Sequence, residues 1–308
     1  MNYTLHQLNV YLKVCRNASI TRAARELNLS QPAVSIQLKN FQDQFNLPLI
    51  EVIGKKVCVT EFGEEIASAA EKILREVEEI NHKIQEFQGL LTGTIKLSVV
   101  STGKYVMPYF VSDFFMNHPG LDLIFETTNK SQVVAALKEN TTDFALLAIL
   151  PENLDLESFE LLPNHLFLVG NKNVWNSRDH SLSGIFEKYP YLFREAGSAT
   201  RRESEKYLAA SGAKIVRKIE LSSNEAVKQA VLAGMGVSII PLIGMKNQLI
   251  EGSLKIIPLE NLPIVTTWRL VWLKNKALSP ASRAFLSFIK EQKDNIVTTH
   301  FDWIKKFI

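Results

Sequence analysis

Apolar positions run along this chain in three regimes. From Leu5 to Phe45 they recur at spacings of three and four in short bursts, the period of helices that each bury one face. From Ile66 the same period continues unbroken through Ala70, Ile73, Val77, Ile80, Ile84 and Phe87. From Gly93 onward, short continuous apolar runs alternate with helical patterns, the signature of β-α units and a mostly parallel sheet. The pattern therefore predicts a small helical start, one long helix and an α/β body.

In the first regime, Leu5, Leu8, Tyr11, Leu12 and Cys15 share one face of an opening helix. Ile20, Ala24 and Leu27 share a face of a second, and the small Ala23 and Ala24 allow close approach of a third. Asn28 and Leu29 form the turn between them, asparagine being tolerant of left-handed backbone. Ser30 is an N-cap, and Pro32 sits in the first turn, where no intrahelical N–H is lost. Val34, Leu38, Phe41 and Phe45 make the inward stripe; Gln31, Pro32, Ser35, Ile36, Lys39 and Asn40 face outward. This is a helix-turn-helix whose second helix presents amide, hydroxyl and methyl groups to base edges in a major groove. An ordinary helical hairpin is the competing description. The following PLIEVIGKKVCVT predicts a β-hairpin around Gly54-Lys55-Lys56, a wing with two lysines for phosphate contact or else a solvated charged turn.

Thr60 is placed to cap the long helix, which the pattern carries to about Gly89. Its apolar seam spans three heptads, and its other faces are dense in Glu, Lys and Arg. Such a helix needs a partner, most simply one from a second copy of the chain; lying on a neighbouring domain is the alternative. A dimer presents two recognition helices to a two-fold symmetric site.

In the α/β body, strands are predicted at 95–100, 121–127, 144–150, 166–170, 191–195, 215–221, 237–241 and 265–273. Helices are predicted from Gly103 to about His118, over 131–139, from about Thr200, over 224–233 and from near Pro280. Ligands of open α/β sheets sit beyond the carboxyl ends of strands, near helix N-termini. Ser101, Thr102, Gly103, Ala148, Ser198, Thr200, Arg201 and Asn224 meet that rule, as do Gly234 to Val237 more loosely. Helix capping alone would also place Ser, Thr and Asn at these points. Donor-rich helix starts with Arg201 favour an anionic small molecule, a carboxylate or phosphate.

Composition narrows the function. The chain has 308 residues, 46% apolar and 22% charged, and a net charge of +3, a globular balance with room for two or three domains. Residues 1–59 are basic: Lys13, Arg16, Arg22, Arg25, Lys39, Lys55 and Lys56 oppose Glu26, Asp43 and Glu51, which suits a polyanion. No apolar run approaches a membrane span and no signal-peptide pattern opens the chain, so a cytoplasmic protein is expected. Cys15 and Cys58 lie in apolar patterns that suit burial rather than a disulfide. The six histidines show no metal-ligand spacing, no motif implies a cofactor, and no nucleophile elbow, P-loop, dinucleotide fingerprint or zinc-protease motif points to an enzyme.

Three segments carry a family resemblance: S-x-T-x-A-A-x-x-L from Ser19 to Leu27, S-Q-P-A-V-S from Ser30 to Ser35, and V-x-V-T-x-x-G from Val57 to Gly63. They resemble the DNA-binding domain of the LysR-type transcriptional regulators. That resemblance implies a winged helix-turn-helix over residues 1–60, a linker and dimerisation helix over 61–90, and an effector domain over 91–308. The effector domain would have the two-lobed type 2 periplasmic-binding-protein fold: lobe I about 91–163 and 264–300, lobe II about 164–263, with crossovers near 163 and 263 as hinge. DNA contacts would come from Thr21, Arg22, Gln31, Pro32, Ser35, Ile36, Lys39, Lys55 and Lys56. Ile36 stands where many members carry Arg or Lys, and Ile50-Glu51-Val52 replaces the wing's usual F-x-R. A homodimer or homotetramer, double-stranded DNA, a small-molecule effector and RNA polymerase are the implied partners. Residues 59–308 hold no cysteine, which excludes the family's thiol-based peroxide sensors. KYVMPYF (Lys104 to Phe110) and GSATR (Gly197 to Arg201) look most like the regulators of carbon-fixation operons, whose effectors are phosphorylated sugars or reduced nicotinamide nucleotide. The tail from Thr298 to Ile308 either packs on a neighbour or extends the last helix.

Overall fold

The computed structural model describes residues 3–53, 56–87, 91–173 and 182–308, in two units, Met1–Gly89 and Leu90–Ile308. In the first, small polar residues set every helix start. Thr4 and Gln7 form a reciprocal capping box for α1 (Leu5–Asn17), and Ser19 accepts from the Arg22 N–H to open α2 (Ile20–Glu26). Asn28 turns the chain with φ 54°, and Ser30 accepts from the Ala33 N–H to open α3 (Gln31–Gln42). β1 (Ile50–Ile53) and β2 (Lys56–Val59) pair antiparallel, with Ile53 opposite Lys56. Thr60 Oγ1 then accepts from the Gly63 N–H at 2.9 Å to start α4 (Glu61–Phe87).

Val10, Tyr11, Val14, Ala23, Val34 and Phe41 are fully buried and form the core of this unit. The inward face of α1 is thus rotated from the expected one: Leu5 is 45% exposed, and Val10 and Val14 take its place. Phe45 lies beyond the end of α3 yet packs edge-on against Phe41 at 5.1 Å. Cys15 and Cys58 are free thiols and only half-buried; burial, partly offset by hydrogen bonding to Tyr11, pushes Cys15 up to about 11, so it is no nucleophile at neutral pH. Along α4 the apolar seam divides. Ile66, Ala67, Ala70 and Leu74 pack into the core of their own unit, whereas Ile73 and Ile80 remain 39% and 58% exposed. The expectation that α4 finds no apolar partner inside its own unit therefore fails for its first turns, because α1 lies against it.

The second unit begins with β3 (Gly93–Val100), a 3-10 turn at Gly103–Tyr105, α5 (Met107–Asn117), β4 (Leu121–Thr128), α6 (Lys130–Lys138) and β5 (Phe144–Leu147). β6 (Leu156–Asn171), α7 (Leu182–Lys188), β7 (Tyr191–Arg194), α8 (Ala199–Ala210), β8 (Lys218–Leu221), α9 (Asn224–Leu232) and β9 (Ser238–Pro241) follow. α10 (Lys246–Ile250), β10 (Leu254–Ile256), β11 (Ile264–Leu273) and α11 (Pro280–Phe301) complete it. β3 lies parallel between β4 and β5, as the β-α pattern requires. β11 returns antiparallel to both β5 and β6, giving the order β10-β6-β11-β5-β3-β4, with β9 also on β6. β7 and β8 form a parallel pair bridged to the rest by Tyr191 and Val237.

The strand expected at 166–170 begins at Leu156, and Pro163 lies inside it. Its first half pairs with β11 and its second with β9 and β10, so a single strand serves both lobes. The polar residues Asn164 and His165 interrupt the apolar run there and hid the continuity from pattern reading. β5 ends three residues earlier than expected, at Leu147. The tail stays within its own unit: Phe301 and Ile304 are buried, and Phe301 stacks on Phe110 at 6.1 Å.

One close approach ties α4 to the rest of the N-terminal unit. Tyr11 Oη donates to the Gly63 carbonyl at 2.8 Å, and a Cβ on Gly63 would lie 2.0 Å from the Leu49 carbonyl oxygen. Gly63→Ala should therefore destabilise this unit by about 1–3 kcal/mol or more, read as an earlier transition in urea. An unchanged midpoint would show that the backbone moves aside freely.

Candidate functional site

Two surfaces concentrate chemistry. On the first unit, α3 buries Val34, Leu38 and Phe41 and so must turn Gln31, Pro32, Ile36, Lys39 and Asn40 outward; all five are exposed and Ser35 is half-buried. Gln31 Nε2 donates to Ser35 Oγ at 2.8 Å, which fixes the amide on the helix surface. Ile36 is 58% exposed, an apolar group with no partner in its own unit among the described residues. Thr21 and Arg22 are exposed on α2, and Lys56 on β2. Lys55 and the side chain of Val52 lie outside the described residues. Two of the basic residues are already neutralised: Lys13 pairs with Glu26, and Arg16 with Glu71 at 2.8 Å. Arg22, Arg25, Lys39 and Lys56 are in no ion pair among the described residues, and these four carry the surface's positive field.

On the second unit, a cleft of about 480 Å³, open to solvent, is lined from both lobes. Ser101, Thr102, Ala148, Ser198, Thr200 and Asn224 all line it, as the carboxyl-end rule anticipated. Ser101 Oγ is the meeting point, accepting from Arg194 Nη1 at 3.3 Å and from Asn224 Nδ2 at 3.1 Å. Thr102 is 4% exposed and makes no side-chain cap bond to the turn it opens, whereas Ser198 does cap α8 through the Arg201 N–H. The starts of α6, α8 and α9 all border the cleft, so three helix N-termini bring their donor-rich, positive ends to it.

Two expected residues are elsewhere. Gly103 is packed behind the wall, where a Cβ would lie 2.9 Å from Leu146 and Val99 side-chain atoms. Arg201 turns away: Nε donates to Glu205 at 2.8 Å, and Nη1 donates to Glu220 at 2.5 Å and to the Arg194 carbonyl at 2.9 Å. Those two carboxylates pair its charge outside the cleft lining. The cleft's cations are instead Arg194 and Lys130. Arg194 is 4% exposed and paired with Glu195 through Nε at 2.7 Å and Nη2 at 2.8 Å. Lys130, in no ion pair among the described residues, is lowered to about 8 by burial and by Arg202, against weaker pulls from Glu203 and Glu152. Both stand at the carboxyl end of a strand or the start of a helix, so the same rule could have found them. Asn164, Thr266 and Trp268 also line the cleft but lie mid-strand, where that rule gives no signal. Beside the cleft, Tyr105 of lobe I donates to Glu225 at 2.5 Å, and Lys228 pairs with the same carboxylate at 3.0 Å. Burial opposes ionisation of Glu225, but bonds from Gln229, Tyr105 and Lys228 hold it at about 2.

A family model for the LysR substrate binding domain matches residues 88–294, and one for bacterial regulatory helix-turn-helix proteins of the lysR family matches residues 5–64. The chain belongs to the LysR family. It is a DNA-binding transcription regulator with a ligand-binding regulatory domain, and no catalytic family is indicated. The transcriptional activator CmpR of Synechocystis is 33% identical over 94% of this chain and 95% of that protein. The transcriptional regulator CbbR of Rhodospirillum rubrum is 35% identical over 93% and 95%. The RuBisCO operon transcriptional regulator of Allochromatium vinosum is 34% identical over 94% and 96%. The regulatory domain of Synechocystis CcmR, solved in complex with 2-PG, is 28% identical with a TM-score of 0.59, covering 66% of this chain and 99% of that one. Full-length CbnR complexed with its target DNA shares the fold, at 17% identity and TM-score 0.61 over 94% of this chain and 99% of that one. The likeness to carbon-fixation regulators thus extends over almost the whole length. Among the described residues no helix is long and apolar enough to cross a membrane, and no His, Cys, Asp and Glu cluster could hold a metal.

Lys130 makes the stability of this LysR-type regulator depend on pH. Its folded pKa lies below its ordinary value of 10.5, so between about 8 and 10.5 the unfolded chain binds the extra proton. Burying the charge is therefore most costly below pH 8 and the cost fades as pH rises. Lys130→Met should be more stable than the parent at pH 7, with the gap in melting temperature narrowing by pH 10. A gap independent of pH would place the lysine in water.

Proposed function

We propose that this regulator binds promoter DNA through Thr21, Arg22, Gln31, Pro32, Ser35, Ile36, Lys39, Lys55 and Lys56, under control of a small anionic metabolite held between its regulatory lobes. The observation that carries the effector half is one cleft joining three helix starts to Arg194 and to a Lys130 that forms no ion pair among the described residues. Ser101, Thr102, Thr200 and Asn224 supply hydroxyl and amide partners there, Ser198 and Ala148 shape the wall, and Arg201 and Gly103 support it from behind. Glu195 already neutralises Arg194, so Lys130 is the cation open to the ligand.

On the DNA side, Gln31 carries base discrimination, Ile36 offers its methyl groups to thymine, and Lys39 with the wing lysines meets phosphate. Ile73 and Ile80, exposed at heptad spacing on α4, support pairing with a second copy as a homodimer that can assemble further into a tetramer. Paired recognition helices then read a two-fold symmetric operator in the cytoplasm. Metabolite binding draws the lobes together, alters the spacing of dimers, and so changes DNA bending and contact with RNA polymerase. It does so only by binding one arrangement more tightly than the other.

The deciding experiment is thermal unfolding of the full-length protein against 2-PG, sugar phosphates and nicotinamide dinucleotides. A compound at 100 times its Kd should add about 2.7 kcal/mol, a shift of a few degrees. Thr102→Val should remove that shift and leave DNA affinity intact; an equal shift in the variant would move the ligand elsewhere. Gln31→Ala should cost about 1–3 kcal/mol on the preferred operator base and little on its variants, measured by titrating single-base substitutions. Uniform loss across all sequences would reduce Gln31 to a backbone contact. Replacing both Ile73 and Ile80 with Glu should lower the sedimentation coefficient at micromolar protein, and an unaltered value would put the dimer contact on another face.

A further inference from the structure

The aromatic end of the chain belongs to neither the DNA surface nor the cleft. α11 runs to Phe301 and then tightens into a 3-10 turn, Asp302–Phe307. Side chains three apart on such a turn lie above one another, so Phe301, Ile304 and Phe307 share one side. Phe301 anchors that side to lobe I. It is 3% exposed, stacks on Phe110 of α5 at 6.1 Å and meets the Tyr109 ring edge-on at 5.4 Å. Ile304 is buried in the same apolar cluster.

Trp303 stands off that row and reaches lobe II. Lys246, exposed at the start of α10, places Nζ 5.4 Å from the centre of the half-buried Trp303 ring. α10 lies between β9 and β10, which both pair with the second half of β6, so the tail touches an element of each lobe. The two ends of this bridge differ in kind. Parting Phe301 from α5 would expose buried apolar area, whereas the Lys246 ammonium can leave a half-exposed ring for water. The tail is thus fixed on lobe I and releasable from lobe II.

Lobe I grips the same segment at a second point, two residues earlier. A Cβ on Gly244 would lie 3.1 Å from the Tyr105 ring. Lys228 Nζ donates to the Gly244 carbonyl at 3.2 Å and shares Glu225 with the Tyr105 hydroxyl. The Tyr105 N–H donates to the carbonyl of Thr102, a cleft residue, at 3.1 Å. Consecutive contacts therefore join the cleft wall to Tyr105, to Gly244–Lys246 and to Trp303.

We propose that the tail from Phe301 to Phe307 is a strap, anchored on α5 of lobe I and clasping α10 of lobe II through Lys246 and Trp303, that limits how far the lobes part. Releasing the clasp loosens the lobe contact between Tyr105 and Glu225, in which neither Lys246 nor Trp303 takes part. The strap acts whatever ligand the cleft takes, so its test needs none.

That test is hydrogen exchange of the full-length protein, followed by mass spectrometry. Lys246→Gln removes the cation and leaves the anchor on α5. It should speed exchange about two- to fivefold, the worth of an exposed cation–π contact, in peptides carrying the Tyr105 and Val227 amides as well as in α10 and the tail. Trp303→Ala, checked for folding by its melting curve, should give the same pattern at larger amplitude; if it does not fold, Lys246→Gln decides alone. Faster exchange confined to α10 and the tail, or no change anywhere, would overturn the strap and leave the tail a cover for its own surface.

Discussion

β6 and β11 run antiparallel from Leu166 opposite Ile264 to Leu156 opposite Leu273, and every other feature of the regulatory unit hangs on that ladder. β5, β3 and β4 extend it on one side, and β9 and β10 build onto the far half of β6. Of the two, β6 serves both lobes, its first half pairing with β11 and its second with β9 and β10. The ladder is weakest in its middle. Pro163, opposite Thr267, has no N–H to donate, and the register shifts between Trp268 and Arg269. Both irregularities lie beside Asn164, Thr266 and Trp268, which line the cleft.

Across the cleft mouth the lobes meet through polar groups rather than apolar packing. Ser101 of one lobe accepts from Arg194 and Asn224 of the other, and Tyr105 donates to a Glu225 carboxylate shared with Lys228. Such bonds can be exchanged for bonds to water, which buried apolar contacts cannot.

The N-terminal unit follows a different rule. Gln31, Pro32, Ile36, Lys39 and Asn40 are outward because Val34, Leu38 and Phe41 are inward, and helical geometry permits no other arrangement once that stripe is buried. Tyr11, reaching Gly63 from α1, couples the start of α4 to the same core. Ile73, next to the packed Leu74 but exposed, and Ile80 one heptad on leave apolar surface on α4 that its own unit does not cover.

Much of this was legible in the residue order. Ser19, Asn28, Ser30, Pro32 and Thr60 mark helix boundaries through local chemistry, and the three- and four-residue apolar period names the inward faces; both act over a few residues, so the chain alone determines them. The carboxyl-end rule likewise reached Ser101, Thr102, Ser198, Thr200 and Asn224, because strand ends and helix starts are local features. What the sequence left open depends on partners distant along the chain. Arg201 looked like the cleft cation until Glu205 and Glu220 were seen to hold it, and Arg194 gained that place by meeting Ser101 from the other lobe. Asn164 and Trp268 became a cleft floor only because β6 and β11, separated by about a hundred residues, pair side by side. Local structure is written in short-range periodicity and capping; the identity of a site is decided by which side chains long-range pairing brings together and which of them it leaves without a partner.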